Sequence, residues 1–96
     1  MDGRTFASKA EMRRYAELKM LEQAGEISEL ELQPRFELCP ATKHGRAIFY
    51  VADFRYRENG EVIIEDVKGH KTEVYKLKKK LLLAKYPMLN FREVRA

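Results

Sequence analysis

"AIFYVADFRYRENGEVIIEDVK", residues Ala47 to Lys68, decides the fold. It holds two runs rich in β-branched and aromatic residues, the composition that suits a pleated, half-buried strand. Between them stands Asn59-Gly60, the pair favoured in a two-residue type I′ turn, where both central positions need positive φ. The stretch therefore reads as an antiparallel hairpin, with AIFYVADFRYR as one strand and EVIIEDVK as the next. The second strand ends unexpectedly. A strand that only fills a core finishes its apolar run and turns, but this one passes from Val62, Ile63 and Ile64 to Glu65, Asp66 and Lys68 before Gly69.

Upstream of the hairpin, CPATKHGR reads as a loop and SELELQPRFEL as a single strand, which Pro34 interrupts or places at a sheet edge. Before it, a helix is expected from about Ser8 to Ala24. Ser8-Lys9-Ala10-Glu11 matches a capping box, and Gly25 is placed to end the helix. Downstream, Thr72 suits the N-cap of a second helix that runs to about Tyr86 and stops before Pro87. Val74, Leu77, Leu81 and Ala84 recur at helical spacing and are expected to form its apolar stripe. NFREVR is a short last strand. The predicted order is α-β-β-β-α-β, a mixed α/β (α+β) fold in which a right-handed crossover lays the last strand parallel to the third. The 96 residues are read as one domain, with its core over about 8–94.

Composition narrows the function classes. No run of about 18 apolar residues occurs, so no transmembrane helix and no membrane partner are expected. The charged opening MDGRTFASKAEMRRY has no apolar stretch of signal-peptide type. A single cysteine, Cys39, excludes an intrachain disulfide and suits a reducing, cytoplasmic setting; it reads as a buried free thiol. His44 and His70 are too far apart in sequence to give zinc-ligand spacing with it. The net charge is +4. That excess gathers in KGHKTEVYKLKKKLLLAKYP, where seven lysines face one acid, a distribution compatible with nucleic-acid binding.

Side chains alternate along a strand, so Val62, Ile64, Asp66 and Lys68 share one face, while Glu65 and Val67 point to the other. The hairpin brings Asp53 back alongside the far end of this strand. By parity Asp53 belongs with Ala47, Phe49 and Val51, a mostly apolar face. Two carboxylates and a lysine thus converge at the edge of an apolar layer, where two anions repel unless a proton or a cation neutralises them. Oxygen donors with room for water suit Mg²⁺. Such a centre polarises a phosphodiester and lowers the pKa of bound water, and Lys68 is placed to orient that water or offset developing charge. Glu11 lies four residues before Tyr15 and seven before Leu18, on the helix face expected to meet the sheet.

Taken together, Asp53, the hairpin and Asp66-Val67-Lys68 resemble the Asp…(Asp/Glu)-X-Lys signature of the PD-(D/E)XK, restriction-endonuclease-like nuclease superfamily. The expected element order resembles that family's core, a mixed sheet flanked by two helices. Ser8-x-x-Glu11 is similar to the helix glutamate of several branches, notably phage junction endonucleases. The wording YVADFRY…IIEDVKG…T…YKLKKKL looks most like small phage-borne, Holliday-junction-resolvase-like endonucleases. The resemblance spans Ser8 to about Val94 and departs from the signature at Ala52, where its name has proline. It implies Asp53, Asp66, Lys68 and Glu11 as catalytic residues. It also implies metal ligation by Asp53, Asp66, the Val67 backbone carbonyl and Glu11, directly or through water. Mg²⁺ is the implied cofactor, with Mn²⁺ as substitute, and DNA the implied substrate. A homodimer acting in phage DNA replication or recombination, inside the bacterial host, completes what the resemblance implies.

Each feature also has a plainer reading. Asp66 and Lys68 also read as a surface ion pair, the lesser alternative, and Glu11 as the capping partner of Ser8. Glu65 is expected to be solvated or to cap. Lys71, Lys76, Lys79, Lys80 and His70 are expected at the DNA backbone, or else as the wet face of a helix and an exposed turn. Tyr15, Tyr50, Phe54 and Tyr75 are expected in the core. Two other functions fit the chain: a catalytically inert DNA-binding module of the same fold, and a phage structural or regulatory protein that binds its partner through the lysine-rich helix.

Overall fold

In the computed structural model, Phe6 and residues 8–96 are described, so the N-terminal stretch read for a signal peptide lies partly outside them. The elements are α1 (Lys9–Gln23), β1 (Ser28–Leu32), β2 (Arg35–Cys39), β3 (Ile48–Val51), β4 (Phe54–Glu58), β5 (Glu61–Lys68), α2 (Glu73–Lys85) and β6 (Asn90–Arg95). The mixed α+β class, the two helices and the mixed sheet agree with expectation. The number of strands does not. SELELQPRFEL is two strands, β1 and β2, and AIFYVADFRYR is likewise two, β3 and β4.

The two breaks are one event. Gln33 takes a positive φ of 52° before Pro34, which has no N–H to give a ladder. Opposite them lie Ala52 and Asp53. The Gln33 N–H donates to the Asp53 carbonyl (3.0 Å) and the Ala52 N–H to the Pro34 carbonyl (3.0 Å), so the paired strands bend together without losing their bonds. On one side of the bend, β1 joins a four-stranded sheet in the order β1-β4-β5-β6; on the other, β2 and β3 form a separate two-stranded sheet.

Crossing the bend reverses which layer the even-numbered side chains enter. Leu30, Leu32, Phe54 and Tyr56 pack with Tyr15 and Leu18 of α1 and Ile63 of β5. Phe36, Leu38, Tyr50 and Ala52 pack instead with Ile64 and with Leu82 of α2. The expectation that Asp53 belongs to an apolar face with Ala47, Phe49 and Val51 is thereby corrected. Val51 is 50% exposed, and the buried neighbours of Asp53 are Ala52 and Phe54.

Asn59 (φ 52°) and Gly60 (φ 80°) make the expected turn, with Glu58 opposite Glu61. β6 lies parallel to β5, in register from Ile63↔Asn90 to Lys68↔Arg95. At the start of α1 the Ser8 hydroxyl accepts the Glu11 N–H (3.1 Å). At its end Gly25 adopts φ 80°. Its N–H and that of Glu26 return to the carbonyls of Glu22 and Leu21, a Schellman closure.

Two further expectations are corrected. The core stripe of α2 is not Val74-Leu77-Leu81, which are 63%, 58% and 45% exposed; it is buried Leu82 with half-buried Tyr75 and Tyr86. The aromatic stripe wins because its rings have ring partners, Tyr75 against Tyr50 (6.3 Å) and Tyr86 against Phe36 (5.9 Å), and aromatic burial removes more apolar surface. Cys39 is exposed rather than buried, because the odd positions of β2 face solvent. Among the described residues, no helix is long and apolar enough to cross a membrane.

Candidate active site

The bend creates the site. Ladder pairing of β4 with β5 ends at Phe54↔Glu65, after which β3 turns away with β2 and β5 continues without that neighbour. The Asp53 N–H still reaches the Glu65 carbonyl (3.2 Å), but beyond it the main chain of β5 needs other partners. Asp66 Oδ1 also accepts the Asp53 N–H, at 2.8 Å, and Asp53 Oδ2 accepts the Val67 N–H at 2.7 Å. The two aspartates thus brace the fork in both directions. The N–H and C=O of a strand residue point to the same edge, so the Val67 carbonyl is directed to the side that Asp53 occupies. Lys68 follows on the α2 side, its ammonium 4.6 Å from the centroid of the Tyr75 ring.

Burial sets the charge balance. Asp66 is 1% exposed. Its pKa is pushed up to about 6, first by desolvation and further by the Asp53 charge, against the lowering effect of the Tyr50 hydroxyl and Lys68. Asp53 is raised as well, first by burial, with the Val67 N–H and then Lys68 opposing. Tyr50 donates its hydroxyl to Asp66 Oδ2. Burial, and then that bond, hold the phenol well above its ordinary range, so it remains a donor. Two desolvated carboxylates therefore share one nearby ammonium. Hard oxygen donors short of positive charge suit a divalent cation such as Mg²⁺.

The opposite face of β5 corrects the expectation for Glu65. It is fully buried and takes Arg14 in a two-pronged bond, Nε to Oε2 at 2.7 Å and Nη2 to Oε1 at 3.0 Å. Tyr56 donates its hydroxyl to the same carboxylate (2.6 Å), and Arg92 reaches both that hydroxyl and Glu58 (3.1 Å each). The signal was present in the parity: Glu65 shares its face with Ile63 and Val67, so its surroundings had to be apolar. The Arg14 that neutralises it lies 51 residues away and carries no local mark.

The remaining expected residues divide. Glu11 is buried (5% exposed) on the sheet-facing side of α1 with Tyr15 and Leu18. Among the described residues, no three His, Cys, Asp or Glu side chains gather into one metal-ligand group. Lys71 and Lys79 both bond Glu93, at 2.9 and 2.8 Å. Together with the Tyr75 hydroxyl they hold the Glu93 pKa down to about 2, Lys79 being the largest influence. Lys76 pairs with Glu73 across one turn (3.3 Å). Lys80 and His70 are exposed and, among the described residues, in no ion pair.

Over residues 1–96 the sequence matches the family described as protein of unknown function DUF1064, and the chain belongs to that family. No curated protein matches it.

Proposed function

We propose that this DUF1064 protein is a Mg²⁺-dependent DNA endonuclease whose reaction centre comprises Asp53, Asp66, the Val67 carbonyl and Lys68. One observation carries the reading: at the fork of the sheet, Asp53 and Asp66 stand side by side, both desolvated, with Lys68 as their nearby cation. Mg²⁺ or Mn²⁺ held by the two carboxylates and the Val67 carbonyl would supply a Lewis acid and an acidified water.

The chain's own residues do the rest. The Val67 N–H fixes one oxygen of Asp53, which is only partly buried. Tyr50 and the Asp53 N–H lock the orientation of Asp66, which is the preorganisation a reaction centre requires. Lys68 leans on the Tyr75 ring and balances negative charge that grows on the phosphoryl oxygens. Glu11 is a further ligand in this reading, directly or through water. Structure-selective, junction-resolving action by a homodimer in phage recombination extends the same reading, and it rests on the family resemblance.

One observation favours a second reading, the inert DNA-binding module. Both oxygens of Asp66 already accept protein hydrogen bonds, which is what a purely structural brace would do. A single assay separates the two. Purified protein is incubated with duplex, nicked, flap, single-stranded and four-way-junction DNA in Mg²⁺ or EDTA. An endonuclease cuts at least one of them in Mg²⁺ and none in EDTA. Binding without cleavage in either condition supports the inert module.

A further inference from the structure

Beside Lys68 a cleft of about 270 Å³ opens between β3 and the first turns of α2, several times the roughly 30 Å³ of one liquid water. Resting on the endonuclease reading, we infer that this cleft receives the unpaired base of a nucleotide adjoining the scissile phosphate. The substrate class is then DNA with a single-stranded or extruded nucleotide at the cut.

The position is the first argument. Tyr50 and Lys68 line the cleft and also belong to the reaction centre, Tyr50 through its bond to Asp66, so a nucleotide in one reaches the other. The lining chemistry is the second. Phe49 and Tyr75 supply rings, Val51 and Val74 supply aliphatic surface, buried Tyr50 lies beneath them, and among the described residues no acidic side chain lines the space. Bases stack on such walls whatever their sequence, and a cationic path carries the backbone beside them. Val51 and Val74, 50% and 63% exposed, otherwise leave apolar surface in water beside a polar centre.

Charge is the third. Lys71, Lys76 and Lys79 are each tied to a glutamate. Lys78, one turn beyond Val74, lines the cleft and is in no ion pair among the described residues, which leaves its ammonium for a neighbouring phosphate. A base still stacked and paired in a duplex cannot enter a cleft between a strand and a helix without being extruded. Duplex is therefore the weaker ligand.

The test measures binding in EDTA, where no cleavage is involved. A 20-nucleotide single strand and its duplex, each carrying one 2-aminopurine, are titrated with the parent protein, Val74→Glu, Val51→Glu and Leu77→Glu. Leu77 is exposed on α2 but does not line the cleft, so it carries the same charge change as a control. The parent is expected to bind the single strand at least tenfold more tightly than the duplex and to quench the probe. Val74→Glu and Val51→Glu should lose tenfold or more of the single-strand affinity along with the quench, and Leu77→Glu less than threefold. Because Val51 and Val74 come from opposite walls, either variant suffices if the other does not fold. Equal affinity for both forms, or equal losses at positions 74 and 77, overturns the cleft. Cleavage in Mg²⁺ without a single-strand preference overturns the cleft alone. Preference with no cleavage on any DNA overturns the endonuclease reading while the cleft stands as a binding site.

Discussion

Replacing Asp66 by Asn in metal-free protein should stabilise the fold at neutral pH, although it alters a wholly buried residue. In the folded chain the Asp66 pKa is about 6, against an ordinary 3.8. A carboxyl raised on folding holds its proton more tightly in the native state. Its contribution to stability is therefore full below 3.8, falls as pH rises towards about 6, and is absent above that. A shift of two units corresponds to about 3 kcal/mol, and Asp53 pushes in the same direction. Asparagine keeps an oxygen for the Asp53 N–H and offers its amide to the Tyr50 hydroxyl oxygen, so the bonds survive and the charge does not. The assay is urea unfolding of parent and variant in EDTA at pH 4.5 and pH 7.5, with m-values compared to confirm two-state behaviour. Glu93, whose pKa is lowered to about 2, contributes stability that is present above 4.5 and lost towards 2; it is common to both proteins and cancels. The variant should exceed the parent by roughly 2–3 kcal/mol at pH 7.5 and by much less at pH 4.5. Millimolar Mg²⁺ should raise the parent and not the variant. A variant less stable than the parent at both pH values, by a similar amount, would refute the reasoning, because the Asp66 charge would then be compensated within the protein.

Three other outcomes follow from the same geometry. Lys68→Ala should abolish Mg²⁺-dependent cleavage while leaving DNA affinity nearly unchanged, read by single-turnover kinetics beside a gel-shift titration, because its proposed role lies in the transition state. Glu11→Gln should change stability by less than about 1 kcal/mol yet lose most cleavage, whereas Ser8→Ala should cost about 1 kcal/mol of cap energy and keep it. Parental cleavage by Glu11→Gln would reduce Glu11 to a buried cap. Arg14→Ala should lower unfolding stability by about 3 kcal/mol or more by stranding the buried Glu65 charge, and Arg14→Met with Glu65→Leu should recover much of the loss; an Arg14→Ala midpoint equal to the parent's would show that Tyr56 alone satisfies Glu65.

Local chemistry made the hairpin, both helices and the parallel last strand legible. Asn59-Gly60 specifies its own turn, Ser8 and Thr72 specify their caps, and a strand after a helix has few places to go. The bend was half legible. Pro34 marks it on one strand, but Ala52-Asp53 carries no breaker, and only the pairing of β1-β2 with β3-β4 reveals that the two breaks face each other. Missing the bend put Asp53 in the wrong parity group, yet the approach of Asp53 to Asp66 depends on the turn alone and was readable. On α2, two apolar stripes lie side by side, and choosing between them requires knowing that Tyr50 and Phe36 stand opposite. The pairing of Lys71 and Lys79 with Glu93 was hidden because β6 comes after the lysines and its register is set by β5.

The most direct test of the central claim is Mg²⁺-dependent cleavage by Asp53→Asn against the parent, on a branched and a single-stranded DNA. Asparagine retains the oxygen that accepts the Val67 N–H, so the fork stays braced, and matched unfolding midpoints establish that the fold is intact. The account predicts that the parent cuts in Mg²⁺ and not in EDTA, while the folded variant does not cut in either. Parental cleavage by Asp53→Asn, or a parent that cuts no DNA in Mg²⁺ or Mn²⁺, would contradict it.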